Sequence, residues 1–233
     1  MIDIWCVKTI KKLDNDIFNR LLRLVSDEKQ SKIHKFYKYQ DKANTLIADI
    51  LSRVMICTKL GITNNQICFY KNEFGKPLLK GKENFHFNIS HSEHWVACTV
   101  GSIPVGIDVE IIKPVEINIA KRFFSNKEYC DLMEKDEDNR LSYFYNIWTL
   151  KESYIKADGK GMSIPLNSFE FVIHGNKICL CIKDIPQICS FQQYQLENNC
   201  MMSAFTYGNE QWMDPKILTL SELIKFSCIL EDN

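Results

Sequence analysis

The chain has 233 residues, with 29 Lys and Arg balancing 29 Asp and Glu, so its formal net charge is zero and bulk electrostatic binding to nucleic acid is disfavoured. At 45% hydrophobic and 25% charged it has the composition of an ordinary globular protein, long enough for one or two domains. No segment reaches the roughly 20 apolar residues that a bilayer span needs. The ten cysteines are scattered without a C-x-x-C pair, which predicts reduced thiols, a cytoplasmic location and no structural zinc.

In chain order, MIDIWCV carries Asp3 and is too short for a targeting peptide, so it predicts a first strand. Asn15 to Val25 and Asp41 to Leu60 show helical spacing, the second with Leu46, Ile47, Ile50, Leu51, Val54 and Met55 along one face. Between them Ser26, followed by Asp27 and Glu28, is a cap signal that places Lys29 and Lys32 on one short helix. In FGKPLL, Gly75 permits close backbone approach, Lys76 brings a cation and Pro77 stiffens the turn, a plausible anion contact. FHFNISHS alternates, with Phe85, Phe87 and Ile89 on one face, His86, Asn88 and Ser90 on the other, and His91 at the turn. With WVACTV following, residues 85–111 predict a three-strand meander, Cys98 being a small core residue. Ser90 and His91 are strand neighbours pointing to opposite faces, which argues against a Ser-His hydrolase. RFFSNKEYCDLM and LSYFYNIWTLKESYIKA predict helices, and SFEFVI, KICLCI, FQQYQLE and MMSAFTY predict strands.

The chemistry concentrates at two places. In VGIDVEI, Val105, Ile107, Val109 and Ile111 form an apolar strand face, while Gly106, Asp108 and Glu110 form the other. Two carboxylates side by side repel and call for a cation, a shared proton or full solvation, and hard oxygen donors suit Mg2+ or Mn2+ better than zinc. Downstream, Glu152 and Lys156 lie one helical turn apart, and Gly159 and Gly161 end that helix. Taken singly, the first pattern is better explained as a solvated acidic face and the second as an ordinary helix salt bridge.

GKPLL, FNISHS, VGIDVEI, RFFSNKEY and WTLKESYIKADGKGMSIPL, in this order and at these separations, resemble the 4'-phosphopantetheinyl transferases of the surfactin-synthetase-activating type. The resemblance spans nearly the whole chain and is strongest from about residue 69 to 169. It implies an α+β fold of two similar α/β halves related by a pseudo-twofold, here 1–113 and 114–233 with the boundary near Lys113-Pro114, and an active site at their interface. It also implies Mg2+-dependent transfer of the phosphopantetheine arm of coenzyme A to a serine of an acyl or peptidyl carrier protein, releasing 3',5'-ADP. Position by position, the resemblance implies Asp108, Glu110 and Glu152 as metal ligands, and Glu152 and Lys156 as catalytic residues. Lys29, Lys32, Thr45, Lys76, Ser90, His91 and Lys156 would bind coenzyme A. Asn44 stands where relatives often carry arginine, which would leave anion contacts there weaker or supplied by Lys42.

The expected assembly is a monomer that meets neither nucleic acid nor membrane. A basic stretch of Lys113, Lys121, Arg122 and Lys127 could meet an acidic carrier, although Asp131, Glu134, Asp136, Glu137 and Asp138 follow soon after. Two other classes share parts of this pattern: a metal-dependent phosphohydrolase, which would need further Asp or His ligands, and a non-catalytic coenzyme A binder.

Overall fold

Strand β1 (Asp3–Lys8) begins the chain as its apolar run predicts, with Ile4, Trp5, Cys6 and Val7 all buried in the computed structural model, which describes residues 1–10, 12–174 and 177–231. Helix α1 (Asn15–Leu22) starts where the Asp14 carboxylate accepts from the Asp16 and Ile17 amides, and α2 (Asp27–Lys35) starts where Ser26 Oγ accepts from Lys29 N. Both caps satisfy amides that the first turn leaves without partners. Helix α3 (Tyr39–Leu60) ends on Gly61 at φ 61°, in the left-handed region. A short ribbon of β2 (Phe69–Lys71) and β3 (Pro77–Leu79) precedes the hairpin of β4 (His86–Ser92) and β5 (Trp95–Gly101).

Strand β6 (Val105–Ile111) is followed by α4 (Ala120–Phe123), α5 (Asn126–Met133) and α6 (Glu137–Asp158). Strands β7 (Phe169–His174), β8 (Lys177–Ile182), β9 (Ile185–Pro186), β10 (Cys189–Glu197) and β11 (Cys200–Tyr207) come next. The chain closes with β12 (Lys216–Thr219) and α7 (Leu220–Phe226). RFFSNKEYCDLM is therefore two helices. Ser125 interrupts it, accepting from Glu128 N while Glu128 reaches back to Ser125 N, a capping box that starts α5 afresh.

Two compact units result: residues 1–70, 77–102 and 213–233, and residues 71–76 and 103–212. The first holds the sheet β12-β1-β5-β4, antiparallel except for the parallel β1–β12 pair. Its core is built on α3, whose Leu46, Ile47, Ile50, Leu51, Val54 and Met55 pack with Val96, Cys98 and Val100 of β5. Each such side chain contributes roughly 1.5–3 kcal/mol on burial. The second unit holds two antiparallel sheets, β10-β11-β6 and β7-β8-β9, and a core in which Phe144, Ile147, Leu150 and Tyr154 of α6 meet Phe169, Phe171 and Phe205. Helices and largely antiparallel sheets make both units α+β.

Two differences from the expected layout concern β6. Residues 85–111 are not a three-strand meander: β4 and β5 pair, but β6 leaves them and pairs antiparallel with β11, Asp108 opposite Ser203. Division by compactness accordingly falls near residue 102 instead of at Lys113-Pro114, and the last segment of chain returns to the first unit through the β1–β12 pairing. A third difference is local. His91 lies within β4 opposite Val96, and the turn follows at Glu93, whose φ is 47°.

Candidate active site

The site in the second unit is set by how closely α6 crosses β6. A Cβ placed on Gly106 would lie 1.9 Å from Ser153 O and 2.5 Å from Ala157 N, distances that no side chain tolerates, so only glycine lets helix and strand approach this far. Two residues along the same strand face, Asp108 is thereby carried under the helix, and only 3% of it is exposed. The acidic face of VGIDVEI is thus roofed by α6 and not solvated. Lys156 Nζ reaches Asp108 Oδ1 at 2.6 Å, a charge-assisted hydrogen bond between the two motifs.

One helical turn before Lys156, Glu152 shares this environment. Burial first, and then the Asp108 carboxylate, hold its carboxyl above the usual range, with Lys156 opposing. A carboxyl group poised in this way can hold or release a proton nearer neutrality than an exposed glutamate. Glu110 follows Asp108 at the next position of the same face and is half-buried.

Lys76 approaches from the tip between β2 and β3. Its Nζ donates to Ala157 O at 2.9 Å and lies 3.4 Å from Val105 O, so the ammonium sits on carbonyls at the end of α6 and the start of β6. Desolvation by burial lowers its pKa from 10.5 to about 8, partly offset by the Asp158 carboxylate. The structure therefore brings Asp108, Glu152, Lys156 and Lys76 onto one helix–strand crossing with Glu110 beside it.

The remaining expected residues belong to the first unit. Ser90 is buried in β4 and His91, on the opposite face, is exposed. Lys29 Nζ bonds Asp49 Oδ2 at 2.8 Å, and Asp49 also accepts from Arg53 Nε at 2.6 Å, so Lys29 has an internal counter-ion. Lys32 is exposed one turn along α2, and Thr45 is half-buried on α3. Asn44 does not mimic a missing arginine. It is 2% exposed, accepting from Gln40 Nε2 and Thr9 Oγ1 and donating to Glu93 O at 2.6 Å, so it ties α3 to the β4–β5 turn.

Sequence reasoning missed three residues that build the site. The alternation marks Gly106 only as a strand position, and its signal is its place two residues before Asp108. Lys151, inside WTLKESYIK, is wholly buried; its three N–H groups meet Glu128 at 2.7 Å and the Leu166 and Phe169 carbonyls at 2.8 Å each. Burial pushes the Glu128 carboxyl up and the Lys151 ammonium down while each charge supports the other. Glu128 also accepts from Ser125 N and Phe171 N, so the pair is saturated and structural. The third is Asn72, whose side chain donates to Gly159 O at 2.9 Å.

Among the described residues, no three His, Cys, Asp or Glu side chains are gathered as a ready metal cage. The donor chemistry of Asp108, Glu110 and Glu152 still suits a hard divalent cation. It offers carboxylate oxygens alone, and the Asp108 charge already acts on the Glu152 carboxyl.

Among the described residues no helix is long and apolar enough to cross a membrane. Comparison with known proteins gives two family matches: residues 104–201 fit the 4'-phosphopantetheinyl transferase superfamily and residues 13–102 fit the 4'-phosphopantetheinyl transferase N-terminal family. The chain is 39% identical over 215 residues to 4'-phosphopantetheinyl transferase Sfp of Bacillus subtilis, spanning 92% of this chain and 96% of that one. It is 38% identical to the transferase ffp of Bacillus subtilis, over 83% of this chain and 87% of that one. To the transferase gsp of Aneurinibacillus migulanus it is 44% identical, over 72% and 70%.

Proposed function

The chain belongs to the 4'-phosphopantetheinyl transferase family, and from that premise we propose that the α6–β6 crossing is the reacting centre of a coenzyme A-dependent carrier-protein transferase. The observation that supports this reading best is the 2.6 Å bond from Lys156 to Asp108 beside a Glu152 carboxyl held above its ordinary range. In the proposed reaction the serine hydroxyl of an acyl or peptidyl carrier protein attacks the β-phosphorus of coenzyme A. The new Ser O–P bond forms as the pyrophosphate P–O bond breaks, 3',5'-ADP leaves, and the serine proton passes to Glu152.

Asp108, Glu110 and Glu152 would hold Mg2+, which when bound neutralises charge on the pyrophosphate oxygens. Lys156 and Lys76 supply fixed positive charge on the same crossing, oriented before the substrate arrives by Asp108 and by the Ala157 carbonyl respectively. Lys29, Lys32, Thr45, Ser90 and His91 are proposed as further contacts to coenzyme A. Lys29 is held in place by Asp49, and Asn44 fixes the β4–β5 turn next to His91. A cytoplasmic monomer is the proposed setting.

The reading is tested by incubating the protein with coenzyme A, Mg2+ and apo carrier proteins from fatty-acid, polyketide and peptide synthases, then weighing each intact carrier. Gain of one phosphopantetheinyl group, lost with EDTA and restored by Mg2+, is expected. Release of 3',5'-ADP with no carrier present would instead favour a phosphohydrolase, and coenzyme A binding without transfer to any carrier would favour a binding protein.

A further inference from the structure

Helix α6 carries Glu152 and Lys156, and what holds its C-terminal end comes from outside the helix. The last carbonyls of a helix lack intrahelical partners. Here one of them, Ala157 O, and the carbonyl of the capping Gly159 are taken by the tip of a hairpin more than 80 residues earlier in the sequence: Lys76 Nζ donates to Ala157 O and Asn72 Nδ2 donates to Gly159 O, both at 2.9 Å. The same asparagine builds the tip. Asn72 Oδ1 accepts from Phe74 N at 3.0 Å and from Lys76 N at 2.9 Å, while the Asn72 backbone N–H donates to Lys76 O at 3.0 Å. Gly75, at φ 88°, permits the turn. The fit is close: a Cβ on Gly159 would meet Lys76 Cδ at 3.0 Å and Asn72 Nδ2 at 3.3 Å.

One amide side chain thus shapes the turn that presents Lys76 and fastens that turn to the end of the reacting helix. We propose that Asn72 is a positioning residue for phosphopantetheinyl transfer, setting the place of Lys76 relative to Glu152 and Lys156. This rests on the functional reading above. Neither Asn72 acceptor bond needs the Nδ2 donor, so the two duties separate by substitution. Asn72→Asp keeps an oxygen for the Phe74 and Lys76 amides but has no donor for the Gly159 carbonyl and sets a carboxylate against it. Asn72→Ala loses both duties.

The test compares wild type and Asn72→Asp by steady-state kinetics with coenzyme A and an accepted apo carrier, and by amide hydrogen exchange of the free proteins. Expected for Asn72→Asp is a fall in kcat/KM of about tenfold, the scale of one lost hydrogen bond to a part-buried carbonyl, with KM for coenzyme A rising more than KM for the carrier. Exchange should quicken in the peptide covering residues 155–161 and stay unchanged in α3. Asn72→Ala, if folded, should be worse in both. A wild type that transfers nothing overturns the functional reading on its own. A wild type that transfers, with Asn72→Asp within twofold in kcat and both KM values or with unchanged exchange at 155–161, overturns the positioning role.

Discussion

Helices α3 and α6 are built to the same plan: each has 22 residues, forms the spine of its unit's core and stops on a left-handed glycine, Gly61 or Gly159. Their burdens differ. Around Gly61 there is open space, whereas Gly159 is pressed by Lys76 and Asn72. Helix α3 buries an ion pair of its own, Asp49 with Arg53 at 3% and 5% side-chain exposure, and this cluster opens to solvent through Lys29, whose side chain is 31% exposed. Helix α6 buries Lys151 against Glu128 at 0% and 1% exposure and holds Glu152 and Lys156 over a second buried acid, Asp108. Both helices pack and both hold charge, but only α6 gathers a wholly sealed pair and the acidic site on one element, in low-dielectric surroundings where an unmatched partner is costly.

The two helices differ most at Gly106. Alanine there must push α6 off β6, and a loss of stability on the order of 5 kcal/mol or more is expected, read as loss of the second unit's cooperative unfolding transition. Next, Lys151→Met strands Glu128 without its counter-ion and should cost about 3–5 kcal/mol by chemical denaturation, whereas Lys29→Ala in the first unit should cost no more than about 1 kcal/mol. Equal losses would show that the two charge clusters are alike after all.

The helix ends sharpen the contrast at smaller scale. Gly61→Ala forces a left-handed alanine in open space, at roughly 1 kcal/mol, and should leave transfer unaltered. Gly159→Ala adds pressure on the hairpin tip, so about 2 kcal/mol and a measurable loss of transfer are expected. Last comes a pH effect. Lys76 is a base whose folded pKa, about 8, lies below its ordinary 10.5, so between these values the unfolded chain binds more protons and stability rises with pH. Denaturation of wild type against Lys76→Met should show wild type gaining up to about 3 kcal/mol across that window, with no such gain below it.

Much of this architecture was legible in the sequence because it is periodic. The apolar spacing of residues 41–60 gave α3 to within two residues of its start, and the Ser26 cap placed Lys29 and Lys32 on one helix. Strand and helix motifs likewise put Asp108 and Glu110 on one face and Glu152 and Lys156 on one turn. What periodicity could not supply was partnership. That β6 leaves β5 to pair with β11 depends on a strand nearly a hundred residues later. That Lys156 reaches Asp108, while Lys151 in the same motif is a sealed structural lysine, depends on where α6 crosses β6, and hence on Gly106. Asn44 shows the same limit: the family resemblance marks it as a position that lacks a cation, but its buried bonds to Thr9, Gln40 and Glu93 give it a packing role.

The central claim is that the Glu152 carboxyl above Asp108 takes part in phosphopantetheinyl transfer. The most direct measurement is Glu152→Gln beside wild type, following carrier modification by intact mass in Mg2+ and thermal unfolding in its absence. The account predicts a loss of transfer of more than about 100-fold with an unfolding midpoint that holds or rises, since one of two mutually repelling carboxylates has been removed. Transfer within twofold of wild type would contradict it.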